Sequence, residues 1–335
     1  MVNMRSLRRQ AGAAILLALL IMTLVATLAA GMVWLQWRGI EVESAERART
    51  QAEWLLNASL DWGNLILKSQ TARGTWVEDD LGQPWATPLA ETKLSSFLSA
   101  DGNHTEDGGP EAFLSGQITD AEGKYNIYNI LLDPTKLDEI NRLAKICTAV
   151  GVPATTAATI GAGLRDSLSV QQNAGQSAQA ATSVLMPIQI EDLAWYGIDP
   201  KVIKQLAPFI QLLPLPAGTK MSTINLNTAP AEVLMAAMPG LTRAQAQQLI
   251  LARQQHPFSS TNDALAALGI PRATGWIVPK DDPQVQWDVK SSHFEIYGQL
   301  RYEQHVIRER SVVWRQNAFA PLQVLRRERV APDAT

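Results

Sequence analysis

Arg5-Ser6-Leu7-Arg8-Arg9-Gln10-Ala11-Gly12, followed by the apolar run from Ala13 to Leu35, decides how this chain folds. No charge interrupts the run, and the next charged residue is Arg38. A helix rises about 1.5 Å per residue and the hydrocarbon core of a bilayer takes about 20 apolar residues, so the run is long enough to span. Arginines ahead of a span favour a cytoplasmic N-terminus. The bulk of the chain is then exported.

Three readings of the run compete. A secretory signal would have a shorter apolar region, about 7–15 residues, and a small-residue cut, for which Leu28-Ala29-Ala30 is the only offer. A plain signal anchor would stay uncleaved. A leader cut ahead of the run, after a glycine, would leave the run as the first helix of the mature chain. Gly12 stands where that cut needs it, between the basic leader and the apolar run, and the third reading is preferred.

Beyond the span the pattern becomes amphipathic. Ala45, Ala48, Ala52, Leu55, Leu56, Leu60 and Ile66 fall at mixed three- and four-residue steps, and no proline lies between Glu41 and Lys68. One long helix is predicted, roughly Ala13–Ser69, with a second half ready to lie on a sheet. Thr71 to Pro110 is rich in Gly and Pro and reads as irregular. Phe113 to Ile118 reads as a strand, Asp120-Ala121-Glu122-Gly123 as a turn, and Tyr125 to Tyr128 as the return strand of a hairpin.

From Asp133 the periodicity is helical. Leu137, Ile140, Leu143, Ala144 and Ile146 share a face; Gly161 to Ser183 is weaker and partly loop; Ile190–Tyr196 and Pro200–Leu213 read as short helices. Thr223 to Thr228 is extended, and Ala231–Ala237, Arg243–Gln254 and Asn262–Ala267 are three more helices. Strands return at the end: Phe294, Ile296, Gly298, Leu300 and Tyr302 alternate with polar residues, and Val306 to Trp314 is the partner after a turn near Gln304. A sheet needs its edges and its apolar face covered. The simplest solution is one sheet made of the early and late hairpins, packed on the first helix. The block from about Asp133 to Lys280 becomes an insertion.

Composition allows this. A chain of 335 residues holds the span and one or two domains, and 46% hydrophobic residues suffice for a core. Net charge is −3, so overall electrostatics exert no pull toward nucleic acid. The single cysteine, Cys147, excludes an internal disulfide and reads as a buried inert thiol.

The stretches Arg8-Arg9-Gln10-Ala11-Gly12-Ala13-Ala14-Ile15-Leu16-Leu17, Ile118-Thr119-Asp120-Ala121-Glu122-Gly123-Lys124-Tyr125-Asn126 and Ile224-Asn225-Leu226-Asn227-Thr228-Ala229, in this order, resemble the minor pseudopilin K family of the type II secretion system, the general secretion pathway protein K family. The resemblance implies an α+β pseudopilin fold, a long N-terminal helix packed on an antiparallel sheet, with a large inserted α-helical domain. It divides the chain into a prepilin leader (1–12), the transmembrane part of the first helix (13–37), the helix continuation and first strands (38–132), the inserted domain (133–280), the C-terminal strands (281–325) and a tail (326–335). It also implies cleavage by the prepilin peptidase between Gly12 and Ala13, and methylation of the new terminus at Ala13. The expected place is the bacterial inner membrane, crossed once, with the bulk of the chain periplasmic. The expected role is the tip of a pseudopilus that exports folded proteins across the outer membrane. Partners would be the I- and J-type minor pseudopilins, the major pseudopilin, the inner-membrane assembly platform and the lipid bilayer.

Most pilin-like subunits carry Glu at the fifth mature position, where this chain has Leu17. An ionised carboxylate within a bilayer costs several kcal/mol unless paired, commonly with the terminal amine of the subunit above. A tip subunit has none above it and can lose the acid; equally, any apolar residue suits a membrane helix.

The competing motif lies between Asn225 and Leu268, where Pro239-Gly240-Leu241-Thr242 joins two helices in a helix-hairpin-helix pattern. Such hairpins hold nucleic-acid phosphates on backbone amides beside a helix N-terminus. A membrane-anchored DNA-binding protein is therefore the alternative. Against it, Thr242 replaces the usual second glycine, and only Arg243, Arg253 and Arg272 stand against Glu232 and Asp263. The expectation is a packing unit without nucleic acid.

Family members can hold calcium, which takes six to eight oxygen ligands. Asp281, Asp282 and Asp288 are a weak candidate set, and Asp101, Asn103, Glu106 and Asp107 another; no metal ligand or cofactor is assigned. His104, His256, His293 and His305 lack metal spacing, and no Ser, His and Asp set suggests a catalytic site, so no enzyme is expected. Trp34 and Trp37 suit a membrane interface. Trp54, Trp62, Trp76, Trp85, Trp195, Trp276, Trp287 and Trp314 suit core or subunit contacts. Pro84-Trp85 and Gly275-Trp276, in loop segments, are candidates for contact with another protein.

Overall fold

The computed structural model of the protein describes residues 4–69, 78–93, 112–132, 137–173, 185–214, 221–270, 287–302, 305–317 and 320–330. Helix α1 runs unbroken from Met4–Ser69. Its apolar half, with a stretch of mean hydropathy 2.6, is bare: every large side chain from Ile15 to Trp37 is exposed. In the second half Ala52, Leu56, Leu60, Gly63 and Leu67 are buried, at steps of three and four that trace one face of a helix.

That face lies on a five-stranded antiparallel sheet built from β1 (Leu89–Lys93), β2 (Ala112–Asp120), β7 (His293–Tyr302), β8 (His305–Trp314) and β9 (Gln323–Arg329), in the order β1-β2-β7-β8-β9. Strand β7 alternates as expected, with Phe294, Ile296, Gly298, Leu300 and Tyr302 buried. Ile118, Phe294, Ile296 and Val313 pack under Leu60 and Leu67, and Leu114, Leu300 and Tyr302 under Ala52 and Leu56. Each buried leucine is worth about 1.5–3 kcal/mol, so this seam fixes the rod to the sheet. Gly116 pairs with Gly298, and a Cβ on Gly116 would lie 2.7 Å from the Tyr297 carbonyl oxygen. The β2–β7 pair thus runs close where α1 crosses it.

The block between β2 and β7 is largely helical. It contains β3 (Tyr125–Asn126), α2 (Asn129–Leu132), α3 (Asp138–Ala149), α4 (Thr155–Asn173), a 3-10 helix (Ile190–Tyr196), α5 (Pro200–Leu206), β4 (Ile210–Gln211), β5 (Ile224–Asn225), α6 (Ala231–Ala237), α7 (Arg243–Gln255), α8 (Thr261–Ala267) and β6 (Trp287–Asp288). It has a core of its own around Leu143, Ile146, Ile160, Leu164, Leu234 and Leu249. Asp120 at the end of β2 pairs with Phe294 in β7, so the chain leaves the sheet and returns to it at neighbouring points. This is the geometry of an insertion.

Four expectations are corrected. Tyr125–Asn126 does not return along β2. After a 3-10 turn over Ala121–Gly123 it pairs in parallel with Ile210–Gln211, because its side chains have a helical core to enter. The segment read as irregular after Thr71 contains β1, an edge strand with a break in register between Leu89 and Thr92. The expected helix Pro200–Leu213 stops at Leu206 and gives way to β4. The C-terminal stretch set aside as a tail from residue 326 begins inside a strand: β9 reaches Arg329, and its arginines clamp α1. Arg329 bonds Glu53, Arg327 Nη1 donates to Asn57 Oδ1 at 2.7 Å, and Asp61 lies 4.0 Å from the Arg327 guanidinium. Glu53, Asn57 and Asp61 are four residues apart and therefore share one face of α1.

Candidate functional site

Two features have functional consequences: the bare apolar half of α1, and the place where the inserted domain meets the sheet. Gly12 and Ala13 both fall inside α1, and Leu17 is 60% exposed one turn further on.

The second feature is a buried polar junction. Asp120 closes β2 and caps the following turn, its Oδ1 accepting from the Glu122 amide at 2.8 Å. Its Oδ2 accepts from Asn225 Nδ2 at 2.9 Å and from the hydroxyls of Thr228 and Ser291, both at 2.6 Å. Asn225 Nδ2 also lies 2.9 Å from the Asp79 carbonyl oxygen, and its Oδ1 accepts from the Asn227 amide. Asp79, from the loop after α1, accepts from the Ser291 amide at 2.8 Å and pairs with Arg315, whose guanidinium lies over the Phe294 ring. Beside them His293 Nδ1 meets Glu122 Oε1 at 2.6 Å, with the ring stacked on Trp314. Burial, with the Glu122 charge nearby, pushes the Asp120 carboxyl up to about 7. Gly123 allows the close approach, since a Cβ there would lie 3.0 Å from Thr228 Oγ1.

The Asn-Leu-Asn-Thr element thus works as a bracket. Asn225 and Thr228 reach the sheet. Leu226 fills the helical core, and Asn227 exchanges two 2.9 Å bonds with the Phe258 backbone. Asn126 and Asn129 grip Leu213 and Ser222 in the same two-bond manner. Each carboxamide places a donor and an acceptor side by side, which matches the C=O and N–H of a single residue.

The helix-hairpin-helix segment folds as expected, with Gly240 at φ +80° in the turn. Thr242 caps α7 through the Gln245 amide, and the Gln245 side chain bonds back to it. Arg243 pairs with Glu232. Arg253 turns inward to the Leu226 and Ala229 carbonyls at 2.7 Å, and burial pulls its pKa down to about 10. Both described arginines therefore serve the fold.

Of the calcium candidates, Asp288 lies in β6, its carboxylate accepting from the Val289 amide at 2.7 Å. Asp281, Asp282, Asp101, Asn103, Glu106 and Asp107 fall outside the described residues, as do His104, Trp76, Trp276 and Arg272. Among the described residues no His, Cys, Asp and Glu cluster suits a metal. Trp85, expected in the core or at a subunit contact, is buried edge-on to Phe294, which withdraws it from the candidates for contact with another protein.

A sequence model described as type II secretion system (T2SS), protein K, matches residues 224–285, a stretch that opens on this bracket. Type II secretion system protein K of Pectobacterium carotovorum subsp. carotovorum is 26% identical over 332 residues, covering 91% of this chain and 92% of that protein. Its counterpart from Pseudomonas aeruginosa is 24% identical over 276 residues, with 76% of each covered. A chain in the crystal structure of the GspK-GspI-GspJ complex from the enterotoxigenic Escherichia coli type 2 secretion system shares the fold. Its TM-score is 0.59 at 18% identity, over 86% of this chain and 98% of that one.

The chain is similar to type II secretion system protein K over most of its length. That similarity supports a minor pseudopilin role in type II secretion, and α1 fits a single-pass anchor. Two of the stretches that carry the resemblance meet here, Asp120 from one bonding Asn225 from the other. The other members of the junction, Asp79, Ser291, His293 and Arg315, escaped sequence reading. No local signal marks an aspartate, a serine or an arginine as buried.

Proposed function

We propose that this chain is the tip subunit of a periplasmic pseudopilus, a non-enzymatic part that starts and caps the fibre of a type II secretion machine. The observation that carries the reading is α1: one unbroken helix whose first half is bare and apolar while its second half is seated on a sheet. Such a rod anchors the precursor in the inner membrane and later packs among the apolar helices of other pseudopilins. Leu17 supports a terminal position, since no subunit above is needed to neutralise an acid there. The helical insertion, held to the sheet by its junction, adds bulk at the end of the rod, enough to prevent a further subunit from stacking above and to widen the tip against the outer-membrane pore.

The related E. coli chain assembles with GspI and GspJ, and I- and J-type partners are proposed here too. On α1, away from the sheet, Trp54 is 75% and Leu65 61% exposed; side chains of this kind suit a neighbouring helix.

Co-expression with a prepilin peptidase tests processing. The mature product should start at Ala13 and carry a methylated terminus, whereas a product starting near Gly31 would overturn the reading. Co-purification with the I- and J-type pseudopilins tests the assembly.

A further inference from the structure

We propose that Asp120, seated beside the Glu122–His293 pair, forms a proton-holding latch that seats the inserted domain on the sheet more firmly in mildly acidic than in mildly alkaline solution. The inference rests on the fold and stands apart from the secretory role.

The charges at the junction do not balance. Arg315 is committed to Asp79 and to the Ser291 carbonyl. That leaves two carboxylates from a single turn, Asp120 and Glu122, and one imidazole, which bonds Glu122; all three groups are buried. The remaining charged groups nearby are Asp80, turned to the Gly82 amide, Asp288 with Lys290, and half-buried Lys124 of the same turn. The side chains of the inserted domain that bond Asp120 are the neutral Asn225 and Thr228.

His293 cannot cancel both acids. Its Nδ1 is spent on Glu122, and its Nε2 is buried with no partner among the described residues. No cation is therefore left to pair with Asp120, and a buried carboxylate without one is relieved by taking up a proton. The site can receive it: the hydroxyls of Thr228 and Ser291, each 2.6 Å from Oδ2, can turn to accept from a protonated carboxyl. The upward shift of the Asp120 carboxyl agrees.

The sign follows. Asp120 has a folded pKa above its ordinary value of 3.8. Its stabilising share is complete below that ordinary value and is lost as pH climbs to about 7. One coupled proton changes an equilibrium by at most about tenfold per pH unit.

Hydrogen exchange of the full-length chain in detergent, read by mass spectrometry from pH 5.5 to 8.5 and corrected for intrinsic rates, tests this. Protection in peptides covering 224–229 and 289–293 should fall by at least about tenfold across that range, while protection within α3 stays level. Asp120→Asn should abolish the slope. Glu122→Gln, which removes the neighbouring charge and keeps the acid, should shift the fall to lower pH; this variant also decides the matter if Asp120→Asn does not fold. Level protection in the wild type, an unchanged slope in Asp120→Asn, or an unshifted profile in Glu122→Gln would each overturn the proposal.

Discussion

Asp120 and Asn225 are 105 positions apart, yet Asn225 Nδ2 donates to Asp120 Oδ2 at 2.9 Å inside the protein. One residue ends a strand of the sheet and the other opens the bracket of the inserted domain, so this bond joins the two halves of the fold.

Replacing Asn225 by Ala removes the donor shared by Asp120, the Asp79 carbonyl and Ser291, and the acceptor of the Asn227 amide. Stranding such buried partners should cost about 2–4 kcal/mol. Denaturant unfolding of the full chain measures it, and a variant as stable as the parent would show that the junction contributes little.

Two glycines at the seam between α1 and the sheet should respond differently. Gly116→Ala forces a Cβ to 2.7 Å from a backbone oxygen in the paired strands, and overpacking of this kind costs about 1–3 kcal/mol. Gly63→Ala, within α1, meets side-chain methyls of Ile296 and Ile118, the nearest at 3.2 Å, which can shift. Thermal unfolding should place Gly116→Ala clearly below Gly63→Ala, and the reverse order would refute the close approach.

Cys147 is buried and burial pushes its thiol up to about 11. Iodoacetamide at pH 8 should leave it unmodified in the folded chain and alkylate it readily in denaturant, since the thiolate is the reactive form. Mass spectrometry of the two samples gives the answer.

The full chain should fail to retain DNA in gel shift at about 150 mM salt, because phosphate binding requires free cations and both Arg243 and Arg253 are engaged. Strong, salt-sensitive retention would restore the hairpin as a binding site.

What could be read from residues alone was periodic or punctuated. The alternation Phe294 to Tyr302 and the helices on either side of Gly240 report burial through spacing, the apolar run from Ala13 reports a helix through its length, and each is where it was expected. The errors arose where two patterns have the same local look. Tyr125-Asn126-Ile127 suits either a hairpin return or a short parallel stitch, and only the presence of Ile210 opposite decides between them. Gln323 to Arg329 carries four charges in seven residues and resembles a solvated tail until α1 offers Glu53, Asn57 and Asp61 as partners.

The sequence by itself determined a rod: an apolar helix, its amphipathic continuation, and strands on both sides of a helical block, because these follow from side-chain periodicity along a local backbone. The tertiary structure alone decided how the block is fastened. Asp79, Asp120, Asn225, Ser291 and Arg315 come from five separate parts of the chain, and a buried polar group must find its partner in space, a condition that no stretch of sequence states.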